Sequence, residues 1–197
     1  MVEQDREGGE TLEEAVGAAP PITARRPRPH WLVFVGLAVT VLVLDQLTKA
    51  WLTGMLSPGE MVQVVGDYVR LVFSQNTGAL FGLFRDQALL FGIASLGVIA
   101  LIVGYHARTE RSVWMSIALG LLLGGALGNV TDRLRLGYVV DFVDIGIGDL
   151  RWYTFNVADA SISAAIVMLV AVAIVPSLAR LGEGTGPVVA GKVDADG

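Results

Sequence analysis

The chain has 197 residues, of which 53% are hydrophobic and 17% are charged, and its formal net charge is −5. With a mean hydropathy of +0.61, this composition excludes an ordinary soluble domain, in which about a quarter of the residues are charged. The lack of cysteine excludes disulfides and thiolate metal ligands. His30 and His106 have no partner at ligand spacing. We therefore predict an integral membrane protein without a metal or cofactor.

The predicted elements begin after a Gly/Glu-rich tail, residues 1–30, which ends in a basic, proline-broken patch and is expected to be disordered. Four apolar segments follow, each near the roughly 20 residues that cross a bilayer. Their approximate bounds are 31–51, 87–106, 112–130 and 155–179. A second disordered tail is predicted over 181–197. The predicted fold is an all-α membrane protein with four transmembrane helices.

The segment 52–86, between the first two helices, is predicted to form a small sheet. Two β-prone runs, 61–65 and 68–73, are joined at Gly66-Asp67, a pair typical of hairpin turns. We expect a small extracytoplasmic β-cradle in this first outer loop, and an irregular loop is the alternative.

The positions of the basic residues predict the orientation. Basic residues precede the first helix, separate the second from the third and follow the fourth, namely Arg25, Arg26, Arg28, Arg108, Arg111 and Arg180. The positive-inside rule then places both termini in the cytoplasm and the loops 52–86 and 131–154 outside. Because these outer loops also carry arginines, the excess of basic residues on the predicted cytoplasmic side is modest.

Polar residues share one face on three of the predicted helices, because positions three and four apart are neighbours on a helix. The three sets are Asp45, Thr48 and Lys49; Asn129, Asp132 and Arg133; and Asn156, Asp159 and Ser163. All of them fall at the predicted extracytoplasmic end, where we expect one shared site.

Each of these faces also has a purely structural interpretation. Asp45 and Lys49 could form an interfacial ion pair, and Asp132 could be the ionised partner of Arg133. Asn129 and Asn156 could provide hydrogen bonds between helices. The glycines of the segment 124–128 are typical of close helix packing.

Asp141 and Asp159 are harder to explain structurally. Both lie among apolar residues, and neither has a basic residue within four positions. An ionisable group near hydrocarbon costs several kcal/mol and indicates function. Two carboxylates held close share a proton, so one can activate water while the other polarises an amide carbonyl. We therefore predict a catalytic aspartate pair in an intramembrane hydrolase.

Five linked motifs make the segment 31–180 resemble the lipoprotein signal peptidases (signal peptidase II), aspartic peptidases of the bacterial inner membrane. The motifs are Asp45-Gln46-Leu47-Thr48-Lys49, Asn76-Thr77-Gly78-Ala79, the run 124–133, Gly137-Tyr138-Val139-Val140-Asp141-Phe142, and Phe155-Asn156-Val157-Ala158-Asp159. Their order and spacing match those of the family.

This resemblance implies cleavage of prolipoprotein signal peptides just before a diacylglyceryl-modified cysteine. It places the catalytic pair at Asp141 and Asp159. Supporting or substrate-binding positions are implied for Asp45, Asn76, Asn129, Arg133 and Asn156. The expected partners are lipid-modified prolipoproteins and membrane lipid, without nucleic acid, and the expected state is a monomer. The expected location is the bacterial inner membrane, with the active site near the extracytoplasmic face.

Two other functions remain open at the level of the sequence. Asp45 and Asp159 could serve as relay groups of a small proton-coupled transporter. The polar residues could also belong to a membrane scaffold without activity. Transporters usually place coupling groups near the midplane of the bilayer, whereas these residues lie near one face.

Overall fold

The computed structural model describes residues 30–78, 88–108 and 112–180. Its elements, in chain order, are α1 (Trp31–Met55), β1 (Met61–Val65), β2 (Val69–Asn76), α2 (Ala88–Arg108), α3 (Val113–Leu136), β3 (Val139–Ile147), β4 (Leu150–Arg151), α4 (Val157–Ile174) and a final 3₁₀ helix (Pro176–Arg180). The predicted tails lie outside the described residues, apart from His30.

The part of the chain that the structure describes contains four helices that are long and apolar enough to cross a membrane, as predicted. Helix α3 is the centre of the bundle: 61% of its most apolar window is buried, against 17–22% for the other three helices. The other helices therefore present most of their apolar surface to the outside, which in a membrane protein is lipid.

Three helix ends differ from the prediction by about one turn or more. Helices α1 and α3 extend beyond the apolar runs to Met55 and Leu136. Helix α4 ends at Ile174, where Pro176 begins a 3₁₀ turn. Proline has no N–H to continue the helix.

Glycines let α1 and α4 approach α3 closely. A Cβ at Gly124 would lie 2.7 Å from the Ala38 carbonyl oxygen, and one at Gly125 would lie 2.5 Å from that of Ala158. Both separations are shorter than van der Waals contact. The predicted packing role of these glycines is confirmed, and α3 can bring polar side chains from both neighbours together.

The sheet has four antiparallel strands in the order β1-β2-β3-β4. The predicted hairpin is confirmed: β1 pairs with β2 across a turn at Gly66, whose φ is 49°. The prediction that the sheet belongs to the first outer loop is incomplete, because β3 and β4 come from the connection between α3 and α4. Strand β3 is largely buried and pairs Asp141 with Ser74 of β2.

The chain turns from α3 into β3 at Gly137. Its φ of 79° is left-handed, and its N–H donates to the Arg133 carbonyl at 3.1 Å, which ends the helix. Leu52, Phe73, Val140 and Phe142 then pack the sheet against the end of α1. This core fixes β3 beside the helix ends that carry the polar residues.

Candidate functional site

Asp141 lies on β3 and is buried, with a relative exposure of 3%. Its two carboxylate oxygens accept hydrogen bonds from two different asparagines. Asn156 Nδ2 donates to Oδ1 at 2.7 Å, and Asn76 Nδ2, from the end of β2, donates to Oδ2 at 2.9 Å. The strand register and the two amides therefore fix the orientation of this carboxylate.

Asp159 lies in the first turn of α4, where it forms a capping box with Asn156. Asn156 Oδ1 accepts from the Asp159 N–H at 2.9 Å, and Asp159 Oδ2 accepts from the Asn156 N–H at 3.2 Å. Asn129 Nδ2 of α3 donates to Asp159 Oδ1 at 2.8 Å. A local helix-start motif thus positions the second predicted aspartate.

Asn156 connects the two carboxylates. It is fully buried, and its side chain donates to Asp141 while its backbone N–H donates to Asp159. Its Nδ2 also lies 3.2 Å from Asn129 Oδ1. Among the residues that the structure describes, neither aspartate forms a salt bridge. The pair is therefore held by neutral amides rather than by cations.

A cavity of about 210 Å³ gives access to both carboxylates. It is lined by Asn76, Phe91, Asn129, Arg133, Val139, Asp141, Tyr153 and Asp159. Five of the seven residues predicted to belong to the site, namely Asn76, Asn129, Arg133, Asp141 and Asp159, thus line one space. Asn156 lies directly behind them, and Asp45 is one layer further away.

Burial, together with the nearby charge of Asp159, raises the pKa of Asp141 to about 7. The hydrogen bonds from Asn76 and Asn156 and the positive charge of Lys49 oppose this rise. An aspartate with such a pKa can hold or release a proton near neutral pH, as a general acid or base must do.

Arg133 forms part of the cavity wall. Its guanidinium donates to the carbonyl oxygens of Asn129 at 3.4 Å and of Gly78 at 3.3 Å, and it lies 5.8 Å from the centre of the Phe91 ring. Its buried Nε has no hydrogen-bond partner within the described part of the chain. Arg133 therefore places a positively charged side chain in the cavity wall.

Asp45 does not line the cavity. Its Oδ2 pairs with Lys49 Nζ at 2.7 Å, which confirms the predicted ion pair, and its Oδ1 accepts from the Ala158 N–H at 3.0 Å. The predicted pairing of Asp132 with Arg133 is wrong: Asp132 pairs with Lys49 at 2.8 Å. Adjacent positions of a helix point about 100° apart, and Arg133 is directed to the cavity instead.

Sequence reasoning did not identify Phe91, Val139 or Tyr153 as parts of the cavity wall. Tyr153 lies in the aromatic run Trp152-Tyr153-Thr154-Phe155, at the predicted outer interface. Aromatic residues are enriched at membrane interfaces, so this aromatic run could have indicated that Tyr153 lies near the site.

Taken together, four apolar helices and a buried carboxylate pair beside an accessible cavity define an integral membrane protein with a site suited to acid–base chemistry. A family model described as "Signal peptidase (SPase) II" matches residues 37–175, which include every residue of this site. The chain belongs to this family, as its motifs predicted.

Curated relatives agree with this membership. A lipoprotein signal peptidase from Pseudomonas fluorescens is 40% identical over 157 residues, which are 76% of this chain and 90% of the relative. One from Moorella thermoacetica is 39% identical over 137 residues, covering 69% of this chain and 89% of the relative. These relatives are peptidases, so they give no support to the transporter alternative.

The fold is also similar to a solved structure. A bacterial membrane enzyme determined by the in meso method at 2.3 Å resolution has a TM-score of 0.69 and 26% sequence identity. The similarity covers 83% of this chain and 98% of that chain. The arrangement of four helices and a small sheet is therefore shared with a bacterial membrane enzyme.

Proposed function

We propose that this protein is an aspartic endopeptidase that removes signal peptides from diacylglyceryl-modified prolipoproteins, cutting before the lipidated cysteine. Asp141 and Asp159 form the catalytic pair. The observation that carries this proposal is the bridging Asn156, which holds both carboxylates at one cavity, where neither forms a salt bridge with any described residue. The family membership supplies the substrate class.

The reaction needs one proton on the pair. The ionised carboxylate accepts a proton from water as the water oxygen attacks the carbonyl carbon of the scissile amide. The protonated carboxylate donates to the carbonyl oxygen, which gives a tetrahedral intermediate. When the C–N bond breaks, the leaving nitrogen takes a proton from one carboxylate, and a hydroxyl of the intermediate returns a proton to the other, so the pair again holds one proton. Two nearby carboxylates favour such sharing because they resist double ionisation.

The supporting residues have distinct proposed roles. Asn76, Asn129 and Asn156 fix the orientation of the carboxylates through the hydrogen bonds described above. Arg133 lies in the cavity wall, and its guanidinium donates to a backbone carbonyl of the substrate. Asp45 supports the site indirectly through the start of α4.

A lipid-anchored substrate must reach the site laterally. An apolar groove of about 270 Å³ adjoins the catalytic cavity and shares Phe91, Asn129 and Arg133 with it. The groove continues between α2, α3 and α4, and we propose that the apolar part of the signal peptide enters there. Lateral entry from lipid requires no water-filled passage.

The proposed topology places the sheet and the active site at the extracytoplasmic face, with both termini in the cytoplasm. The sheet, the start of α4 and the end of α3 lie together, whereas Arg108 ends α2 at the opposite side of the bundle. We propose a monomer in the bacterial inner membrane, with membrane lipid and lipidated prolipoproteins as its partners.

Cleavage assays with matched aspartate variants test the proposed function. Purified wild-type protein should cleave a diacylglyceryl-modified prolipoprotein peptide, and Asp141→Asn and Asp159→Asn should lose at least about a thousandfold in kcat. Asp144→Asn is the control, because Asp144 lies on the same strand but pairs with Arg151 at 2.9 Å. Near-normal turnover by a folded Asp141 or Asp159 variant would exclude the mechanism.

Cysteine labelling tests the topology independently. Because the chain has no cysteine, a single Asp67→Cys or Arg108→Cys substitution gives one reactive thiol. A membrane-impermeant maleimide added outside intact cells should label position 67 and not position 108. The opposite pattern would reverse the orientation without excluding the peptidase.

A further inference from the structure

Lys49 is the centre of a second buried cluster, next to the catalytic pair. Its Nζ lies 2.7 Å from Asp45 Oδ2, 2.8 Å from Asp132 Oδ2 and 3.2 Å from Asn129 Oδ1. Lys49 is only 3% exposed, and both of its carboxylate partners are buried as well. One ammonium group therefore joins two carboxylates and one amide.

Each of these two carboxylates also accepts a backbone hydrogen bond from the residue just before a catalytic aspartate. Asp45 Oδ1 accepts from the Ala158 N–H at 3.0 Å, and Ala158 precedes Asp159. Asp132 Oδ2 accepts from the Val140 N–H at 3.1 Å, and Val140 precedes Asp141. The two halves of the site are thus held by equivalent contacts on opposite sides of one lysine.

The third contact of Lys49 leads to the same pair. Asn129 accepts from Lys49 through Oδ1 and donates to Asp159 through Nδ2 at 2.8 Å. An asparagine oxygen that faces a cation leaves its amide N–H groups directed the other way. Lys49 therefore fixes which end of the Asn129 amide meets the Asp159 carboxylate.

We infer that Lys49 is a positioning residue that sets the placement of Asp141 and Asp159 relative to each other, through Asp132, Asp45 and Asn129. This inference rests on the proposed function. Without the ammonium group, two buried carboxylates would face each other unpaired. Buried carboxylates without a cation are costly, so one of them would take up a proton or move. Its hydrogen bond with the N–H of Ala158 or Val140 would then change.

Another ion pair of the protein, partly buried, lacks this arrangement. Arg151 pairs with Asp144 at 2.9 Å and donates to the Asp67 carbonyl at 2.6 Å, so it ties the sheet to its hairpin turn. None of its hydrogen bonds reaches Asp141 or Asp159. Arg151→Met is therefore a matched control that removes an ion pair without touching the positioning contacts.

The main test compares Lys49→Met, Asp132→Asn and the double variant in the lipopeptide cleavage assay. Each single variant should lower kcat roughly a hundredfold, the loss expected for misplacement by about 1 Å, while KM stays within about threefold. The kcat of the double variant should be little lower than that of either single variant, because both substitutions break the same ion pair between Lys49 and Asp132. Arg151→Met should keep its kcat.

The pH profile separates positioning from general destabilisation. The charged and titratable groups around the pair are Asp45 and Lys49 from α1, Asp132 and Arg133 from α3, Tyr153 from the segment before α4, and the two aspartates themselves. Lys49 lowers the pKa of Asp141, so removing its charge raises that pKa and should move the whole pH–rate profile to higher pH. A merely structural role would reduce activity without moving the profile.

Lys49→Arg keeps the inference testable if Lys49→Met does not fold. The charge remains, but a planar guanidinium cannot place one nitrogen among three oxygens as an ammonium does. We expect about a tenfold loss of kcat and an unchanged profile. Wild-type kcat and profile in either folded variant would overturn the inference. An inactive wild-type protein would instead overturn the proposed function.

Discussion

Two pairs of aspartates lie side by side in this protein, and their surroundings are opposite. Asp45 and Asp132 share the ammonium group of Lys49. Asp141 and Asp159 are held only by asparagine amides and one backbone N–H within the described residues. The first pair therefore has a cation as its partner and a structural role. Without such a partner among the described residues, the second pair can share a proton and act in chemistry.

The same substitution should therefore have different effects on stability in the two pairs. Asp45→Asn removes a partner of Lys49 and weakens the contact with Ala158, so we expect a loss of about 4 kcal/mol in unfolding free energy. Asp141→Asn removes a buried, weakly compensated carboxylate and should cost nothing at neutral pH. Thermal unfolding in detergent measures both. An equal loss of unfolding free energy in the two variants would contradict the proposed difference between the two pairs.

The pH dependence of stability sharpens this contrast. The pKa of Asp141 is raised to about 7 in the folded protein, above its unfolded value, because the group is buried. Its contribution to stability is therefore full below about pH 4 and is lost as the pH rises through 7. Between pH 5 and pH 7, wild type should lose about 2 kcal/mol more than Asp141→Asn does. Parallel curves of unfolding free energy against pH for wild type and Asp141→Asn would contradict the raised pKa of Asp141.

Gly128→Ala tests how closely α3 must approach the Lys49 cluster. A Cβ at this position would lie 2.5 Å from Asp45 Oδ2, so the carboxylate must move. We expect a loss of about 2 kcal/mol in unfolding free energy and a lower kcat. Gly97→Ala is the control, because a Cβ there meets nothing within 4 Å. If Gly128→Ala changed the unfolding free energy and kcat as little as Gly97→Ala does, the Lys49 cluster would tolerate displacement of the Asp45 carboxylate.

Asn76→Ala should have the smallest effect of the four changes. It removes one of the two amides that hold Asp141, and the other, from Asn156, remains. We expect kcat to fall about tenfold, which corresponds to about 1.4 kcal/mol. The lost hydrogen bond also raises the pKa of Asp141, so the pH–rate profile should move to higher pH. Exposed Gln75→Ala should change neither quantity.

Much of the fold follows from local sequence patterns. The four helices are predicted by hydropathy and length, and the β1–β2 hairpin by Gly66-Asp67. Strand β3 was not predicted, because its partner β2 lies about 65 residues earlier in the chain. Pairing over such a distance leaves no local periodicity to recognise.

The parts of the site that depend on spacing along a helix were predictable from the sequence. Asn156 and Asp159 are three residues apart, and this spacing is that of the capping box in which they are found. The contacts of Asp45 and Asp132 with backbone N–H groups were not predictable, since the sequence gives no sign of which distant amide a carboxylate meets. Asp45 and Ala158 are 113 residues apart.

The central claim is that Asp141 and Asp159 act as one catalytic unit. Its most direct test is the cleavage rate of the Asp141→Asn/Asp159→Asn double variant, measured beside both single variants on the same diacylglyceryl-modified peptide. Residues that act as a unit are not additive, so the double variant should be no slower than the slower single variant. Losses that multiply, or a single variant with near-normal turnover, would contradict the claim.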